Sequence, residues 1–293
     1  MPAGGGGLDA KPPASGPDRK ALRRIAAMPT THNAILLAAF GSRLPGAEDS
    51  LGVMRACAQE LYPDWRVETA FTSGTVRRHK GAHSRQGRSP GEVLRQLVRE
   101  GVRRLAVQSL HVVPGDEFLG LQRLVASMRG GPDGFERIEL GRPLLGNAED
   151  VRRAARALLS VLPSPRAKGE VVLLMGHGTR GNANSVYQDL ADELRALDPS
   201  VLIGALEAEP GLAAKVDELR ALGARKVHLL PLLFARGVHA TRDMAGEGGH
   251  SWRGALTRAG FICETHLKGA GEHPALAEIW LSHLREAVER VRA

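Results

Sequence analysis

Three side chains of the kind that bind first-row divalent ions each follow a run of residues that reads as a β-strand. His177 follows Val171–Met175 between two glycines, Glu207 follows Val201–Leu206, and His239 follows Val227–Phe234 after Arg236-Gly237. Two imidazoles and a carboxylate form a borderline-soft donor set suited to Co2+, Fe2+, Ni2+ or Zn2+. Either imidazole, titrating near neutrality, can also accept a proton in a reaction at physiological pH. A lone histidine at a strand end is ordinarily a surface or hydrogen-bonded residue, but donors at three strand ends are expected to share one site. The acid has a competitor, because Glu209 stands two residues on in Glu207-Ala208-Glu209-Pro210. Glu207 is preferred because it directly ends its strand.

These donors converge only if their strands run parallel, since ligands of doubly wound sheets bind outside the carboxyl ends of the strands. The sequence supports that arrangement. Ala34–Phe40 is a short apolar run closed by Gly41, as expected of a buried parallel strand. Residues 48–61 follow with Leu51, Met54, Ala58 and Leu61 at helical spacing and acidic residues at the N-terminal end. A strand at 65–71, a helix at 91–100, a strand at 105–113 and a helix at 148–162 continue the alternation. The expected fold is α/β: two related doubly wound domains, each a mostly parallel sheet flanked by helices.

The two halves are related because the order repeats in residues. Ala34–Arg43 lies against Val171–Arg180, each an apolar strand followed by Gly, a hydroxyl residue and Arg; Gly101–His111 lies against Gly223–Leu233. The chain is therefore read as an internal duplication, with a tail at 1–30, an N-terminal domain at 31–147 and a C-terminal domain at 148–293 that carries the metal site. In this alignment Phe40 stands opposite His177, Phe71 opposite Glu207 and Glu117 opposite His239, with His111 nearby. Chemistry should then favour the second half, while the first offers apolar faces and hydroxyls. Glu117 also has a plainer role, as an acid at the start of a helix near 118–128.

Charge and cysteine usage narrow the function classes. The 293 residues carry a formal charge of +8, with Arg far commoner than Lys, which suits carboxylate or phosphate ligands. Markers of nucleic-acid binding are absent, so no nucleic-acid partner is expected. Cys57 and Cys263 are far apart and fit no disulfide or thiolate pattern, and no apolar run approaches a membrane span, so a soluble cytoplasmic protein is expected. The Gly/Pro/Ala-rich residues 1–30 lack the apolar core of a secretory signal and read as a flexible tail. Arg77, Arg78, Arg85 and Arg88 are expected in a solvated basic loop, and His79, His83, His228, His250, His266 and His273 at the surface or in structural roles.

Several blocks in order give the chain a family resemblance over residues 33–290. They are Phe40-Gly41-Ser42, Ala70-Phe71-Thr72-Ser73-Gly74, Val107–His111 with Gly115-Asp116-Glu117, Met175-Gly176-His177-Gly178, Gly204–Glu207, and His239-Ala240 with Asp243-Met244. With these the chain resembles the sirohydrochlorin cobaltochelatases of the anaerobic pathway, within the class II chelatases that include ferrochelatase. The resemblance implies that His177, Glu207 and His239 surround the metal. The implied substrate is a tetrapyrrole with eight carboxylates, and Phe40, Ser42, Phe71, Thr72, Ser73, His111, Glu117 and Gly178 are expected to face it. Co2+ is the implied substrate metal, with Fe2+ and Ni2+ as alternatives, and no organic cofactor is implied. Two further readings keep the same cleft: a ferrochelatase for siroheme and a non-catalytic tetrapyrrole or metal carrier. The oligomeric state is left open, a homo-oligomer included.

Overall fold

The computed structural model describes residues 32–42, 44, 49–74, 87–131, 133–179, 184–209 and 211–293. The tail assigned to residues 1–30 lies outside them, as do Arg77, Arg78, Arg85, His79 and His83. Residues 31–293 form one compact unit. No helix among the described residues is long and apolar enough to cross a membrane.

The first half runs β1 (Asn33–Ala39), α1 (Asp49–Leu61), β2 (Arg66–Phe71), α2 (Pro90–Arg99), β3 (Arg104–Ser109), α3 (Asp116–Ser127) and β4 (Arg137–Gly141). The second runs α4 (Ala148–Leu159), β5 (Glu170–Gly176), α5 (Ser185–Leu197), β6 (Val201–Ala205), α6 (Leu212–Ala221), β7 (Lys226–Pro231), a short π-helix (His239–Met244), α7 (Trp252–Arg258), β8 (Ile262–Thr265) and α8 (Pro274–Arg292). Helix starts carry local signals. Ser89 and Glu92 form a capping box ahead of α2, with Pro90 in its first turn, and the Asn147 side chain accepts from the Asp150 N–H to open α4.

The strand orders are β2-β1-β3-β4 and β6-β5-β7-β8, all parallel, so the expected two-part α/β architecture is present with one topology used twice. The repeat extends to register: Ala34 pairs with Leu105 as Val171 pairs with Val227. One part of the sequence alignment needs correction. Ala39 pairs with Phe71 where Gly176 pairs with Ala205, and the Ser73 N–H bonds Phe40 O as the Glu207 N–H bonds His177 O. Ser73, not Phe71, therefore occupies the Glu207 position. A slip of two residues keeps every side chain on the same sheet face, so apolar patterning alone could not fix this pairing.

The strands at 105–113 and 227–234 are also shorter than expected. β7 stops at Pro231, which has no N–H to continue a ladder. β3 stops at Ser109, after which the chain bends so that Val112 and Val113 line a cavity.

Alternation along the strands divides the core into three. Ala34, Leu36 and Ala38 face one outer core with α2 and α3, and Val171, Leu173 and Met175 face another with α6 and α7. Ile35, Leu37, Val172 and Leu174 meet in a shared inner core with residues of α1, α4, α5 and α8. Helix α8 follows the second half in sequence yet packs on β3 and β4 of the first sheet. Its Trp280 is fully buried, donates Nε1–H to His111 O at 3.1 Å, and packs edge-on against Phe234.

Helix α8 also satisfies a buried charge. His283 lies 2.9 Å from Asp150 Oδ1, and Arg142 bonds both Asp150 and Glu286. Burial pushes the Asp150 carboxyl up, but the bonds from His283 and Arg142 outweigh it and hold the group below its ordinary value. Removing one partner of a buried pair leaves a poorly compensated charge. His283→Ala should lower unfolding free energy by about 3 kcal/mol, whereas breaking the exposed Arg285–Glu278 pair with Arg285→Ala should cost less than about 1 kcal/mol. Urea denaturation of the two variants checks the difference.

Candidate functional site

Strands β5, β6 and β7 end at one edge of the second sheet, and each delivers a donor there. His177 directly follows β5, Glu207 lies two residues beyond β6, and His239 begins the π-helix that follows β7. One ligand atom from each of the three lies within 4.8 Å of the others. Glu209 instead accepts the Gly211 N–H at 2.9 Å and is not part of the group.

Gly178 makes this convergence possible. Its φ of +86° is in the left-handed region, and a Cβ there would lie 3.0 Å from both Ala208 N and Ala208 Cβ. The loop after His177 can therefore lie directly against the loop that carries Glu207. Gly41, at the matching position of the first half, has the same conformation at φ +95°.

Hydrogen bonding sets the chemistry of the two imidazoles. His177 Nδ1 lies 3.0 Å from Gly178 O, and a carbonyl oxygen can only accept, so Nδ1 carries the proton. His239 Nδ1 lies 2.7 Å from Asp243 Oδ2 and donates to that carboxylate. Both Nε2 atoms are thereby left with lone pairs, and they face each other at 3.2 Å. Two lone pairs at that distance repel unless a proton or a cation lies between them. Two nitrogens each about 2.1 Å from one ion, at angles between octahedral and tetrahedral, stand roughly 3.0–3.4 Å apart. The pair is spaced as two ligands of a single metal ion. Asp243 was present in the sequence blocks, but its part in orienting His239 depends on the i, i+4 contact across the π-helix.

The donors border a cavity of about 450 Å3 between the two sheets' strand ends. Of the residues expected to face substrate, Phe40, Ser42, Phe71, Ser73, His111, Glu117 and Gly178 line it. Phe40 packs against the His177 ring at 5.8 Å. Thr72 is not among the lining residues; its hydroxyl bonds His111 Nε2 at 3.0 Å. Ser109 Oγ holds the other ring nitrogen of His111 at 2.8 Å, and burial pushes this imidazole down to about 4, so it is a neutral wall residue at pH 7. Glu117 is exposed in the first turn of α3, where the helix dipole favours an acid. Arg88 departs from the expected basic loop: it is partly buried and pairs with Glu68 and Gln96 at 2.6 Å.

Sequence patterning did not single out Tyr187 of α5. It lines the cavity beneath the His177 loop, and burial pushes its hydroxyl up to about 12 while the Gly178 and His177 backbone amides act in the opposite direction. A Cβ at Gly176 would lie 2.6 Å from the Tyr187 ring, so the signal was the glycine before His177. The two halves also touch at the cavity rim. A Cβ at Gly115 would lie 2.6 Å from Thr179 Oγ1, and one at Gly237 would lie 3.1 Å from Ser42 Oγ.

The duplicated parallel sheet is a fold shared with a solved chelatase. The solved structure described as SirB from Bacillus subtilis with Fe3+ superposes with a TM-score of 0.58 at 16% identity, covering 87% of this chain and 95% of that one. The family model for cobalt chelatase (CbiK) matches residues 33–289, and the chain belongs to that family. It is 40% identical over 261 residues to the sirohydrochlorin cobaltochelatase CbiKC of Nitratidesulfovibrio vulgaris, covering 89% of this chain and 92% of the relative. It is 35% identical over 239 residues to the sirohydrochlorin cobaltochelatase of Salmonella typhimurium, covering 80% and 88%.

Two outcomes follow from this geometry. Gly178→Ala should weaken Co2+ binding and cost at least about 1–2 kcal/mol from the left-handed backbone alone, while Gly52→Ala, in an open position on α1, should be neutral or stabilising. Isothermal titration and thermal melts of the two variants check this. For His111, both folded and unfolded forms are neutral well above 6.5; as pH falls toward about 4 only the unfolded form gains a proton, so stability is lost over that window. Between pH 7 and pH 5 the wild type should lose about 2 kcal/mol more than His111→Gln, read from denaturant midpoints at the two pH values.

Proposed function

We propose that this chain inserts cobalt into sirohydrochlorin in corrinoid biosynthesis, with His177, Glu207 and His239 as the reacting set. The observation that carries the reading is the pair of imidazole lone pairs 3.2 Å apart at the wall of the cavity, with a carboxylate beside them. The two relatives named as sirohydrochlorin cobaltochelatases support the choice of substrate and metal. The net charge of +8 suits a macrocycle bearing many carboxylates. A cytoplasmic setting accords with two unpaired cysteines.

Insertion is an exchange in which one divalent ion enters the ring as two pyrrole N–H protons leave. His177 and His239 hold the ion through Nε2 while the macrocycle lies against Phe40 and Phe71. As the ion passes to the ring nitrogens, the two Nε2 lone pairs become free, and they are the nearest bases for the departing protons. Two imidazolium rings at this separation would repel, so one proton moves on. Glu207, exposed at the cavity mouth, is the acceptor that leads to solvent. His177 is the principal base, because its Nε2 faces the cavity from a ring already fixed by Gly178 O and packed against Phe40. Asp243 stabilises the positive charge on His239 and keeps its Nε2 directed at the ion.

His177→Ala should slow insertion by about 100-fold or more, the usual contribution of a positioned base, while leaving macrocycle binding largely intact. Anaerobic incubation with sirohydrochlorin and Co2+, Fe2+ or Ni2+ in turn, followed by the absorption spectrum of the macrocycle, measures both rate and metal preference. Full turnover by His177→Ala would remove the assignment, and faster insertion of Fe2+ than of Co2+ would make the chain a ferrochelatase.

A further inference from the structure

A second group of side chains repeats the donor arrangement of the cavity at a different place in the fold. His228 lies within β7, Glu264 within β8, and His266 just beyond β8. His228 pairs in register with Val172 on one side and Glu264 on the other, so its side chain and that of Glu264 share one sheet face, opposite Val227 and Leu229. None of the three residues lines the cavity.

The local chemistry matches that of the first site in the facing imidazoles and in the carboxylate behind one of them. His228 Nδ1 faces His266 Nε2 at 3.1 Å, as His177 faces His239 at 3.2 Å. Behind His228, its other nitrogen Nε2 lies 3.3 Å from Glu170 Oε2, as Asp243 stands behind His239. A carboxylate can only accept, so Nε2 donates to Glu170 and Nδ1 presents its lone pair to His266. Glu264 supplies the third donor: Oε1 is 3.6 Å from His266 Nε2 and Oε2 is 3.7 Å from His228 Nδ1. All three ligand atoms fall within 4.8 Å of one another.

Burial distinguishes this group from a chance surface cluster. His228 is 3% exposed, so its lone pair is held in place by the fold. The side chains of His266 and Glu264 are 32% and 49% exposed, which leaves an entry path from solvent. Lys226 Nζ sits 2.8 Å from Glu264 Oε2 and 3.6 Å from Glu170 Oε1. It pairs with both carboxylates and leaves Glu264 Oε1 directed at His266.

We infer that His228, Glu264 and His266 form a second binding site for a first-row divalent ion, separate from the His177–Glu207–His239 group. Two imidazole nitrogens and one carboxylate oxygen leave coordination positions open to water, and the set suits Co2+, Ni2+ or Zn2+. Glu170 is a positioning residue that fixes the His228 tautomer.

Co2+ alone is the probe. Metal-free full-length chain is equilibrated with Co2+, and bound metal is counted by equilibrium dialysis and by the visible d–d absorption of the ion. The expected result is two ions per chain for the wild type, one for His266→Ala, and one for the double variant His177→Ala/His239→Ala. His266→Ala serves because its side chain is partly exposed, whereas replacing buried His228 threatens folding. Glu170→Gln removes no ligand and should weaken the second ion by about ten-fold or more, as loss of an orienting carboxylate does. Insertion into sirohydrochlorin at saturating Co2+ should proceed in His266→Ala as in the wild type. A wild type that binds one ion or none, or a His266→Ala chain that keeps the second ion at wild-type affinity, overturns the inference. Loss of all bound metal in the double variant would do the same, by placing both ions in one site. A failure of the cavity assignment would be seen separately, as insertion that survives in His177→Ala.

Discussion

Everything at the cavity depends on two imidazole rings whose outer nitrogens are already committed. Gly178 O and Asp243 take the Nδ1 protons, so the inner Nε2 atoms have no donor to offer each other across 3.2 Å. The fold, rather than the ion, bears the cost of bringing two lone pairs together. Such a site is pre-organised for a cation and also releases it with little rearrangement, because the rings stay oriented by the partners behind them. A carrier needs only the first property, whereas a chelatase needs both.

The supporting structure is a duplication whose copies have separated in chemistry but not in geometry. Phe40, Ser73 and Glu117 occupy in the first half the positions of His177, Glu207 and His239 in the second. The turn after the first strand keeps the same left-handed glycine in both copies, at Gly41 and Gly178. One wall of the cavity therefore presents an aromatic ring, a hydroxyl and an exposed carboxylate, and the other two imidazoles and a carboxylate. The shared inner core, to which both sheets contribute Ile35, Leu37, Val172 and Leu174, holds the walls in register.

Much of the site was legible in the sequence because parallel strands have only one end at which chemistry collects. Once Val171–Met175, Val201–Leu206 and Val227–Phe234 were read as strands, His177, Glu207 and His239 had to fall at the same edge. The limits were equally physical. Pairing Glu207 with Phe71 rather than Ser73 was a two-residue slip, to which a period-two pattern is blind. The separation of Thr72 from the cavity and of Arg88 from the basic loop depends on partners, His111 and Glu68, that lie far along the chain. His228 and His266 gave no signal at all. Their nearness comes from the β7–β8 pairing, and in isolation each is an ordinary histidine.

Helix α8 has a consequence for how the chain reaches this state. The first sheet is complete in sequence by Gly141, yet the face it turns to the inner core is covered by Trp280, His283 and Leu284, which lie beyond the whole second copy. During synthesis on the ribosome the earlier copy thus emerges with an apolar face uncovered, and Asp150 of α4 follows it without His283. It must wait, partly solvated, until some hundred and thirty further residues have been made, at roughly 5–20 residues each second. Although the halves are twins in topology, they are obliged to mature together, and the interval before they do is when the nascent chain has most need of a chaperone.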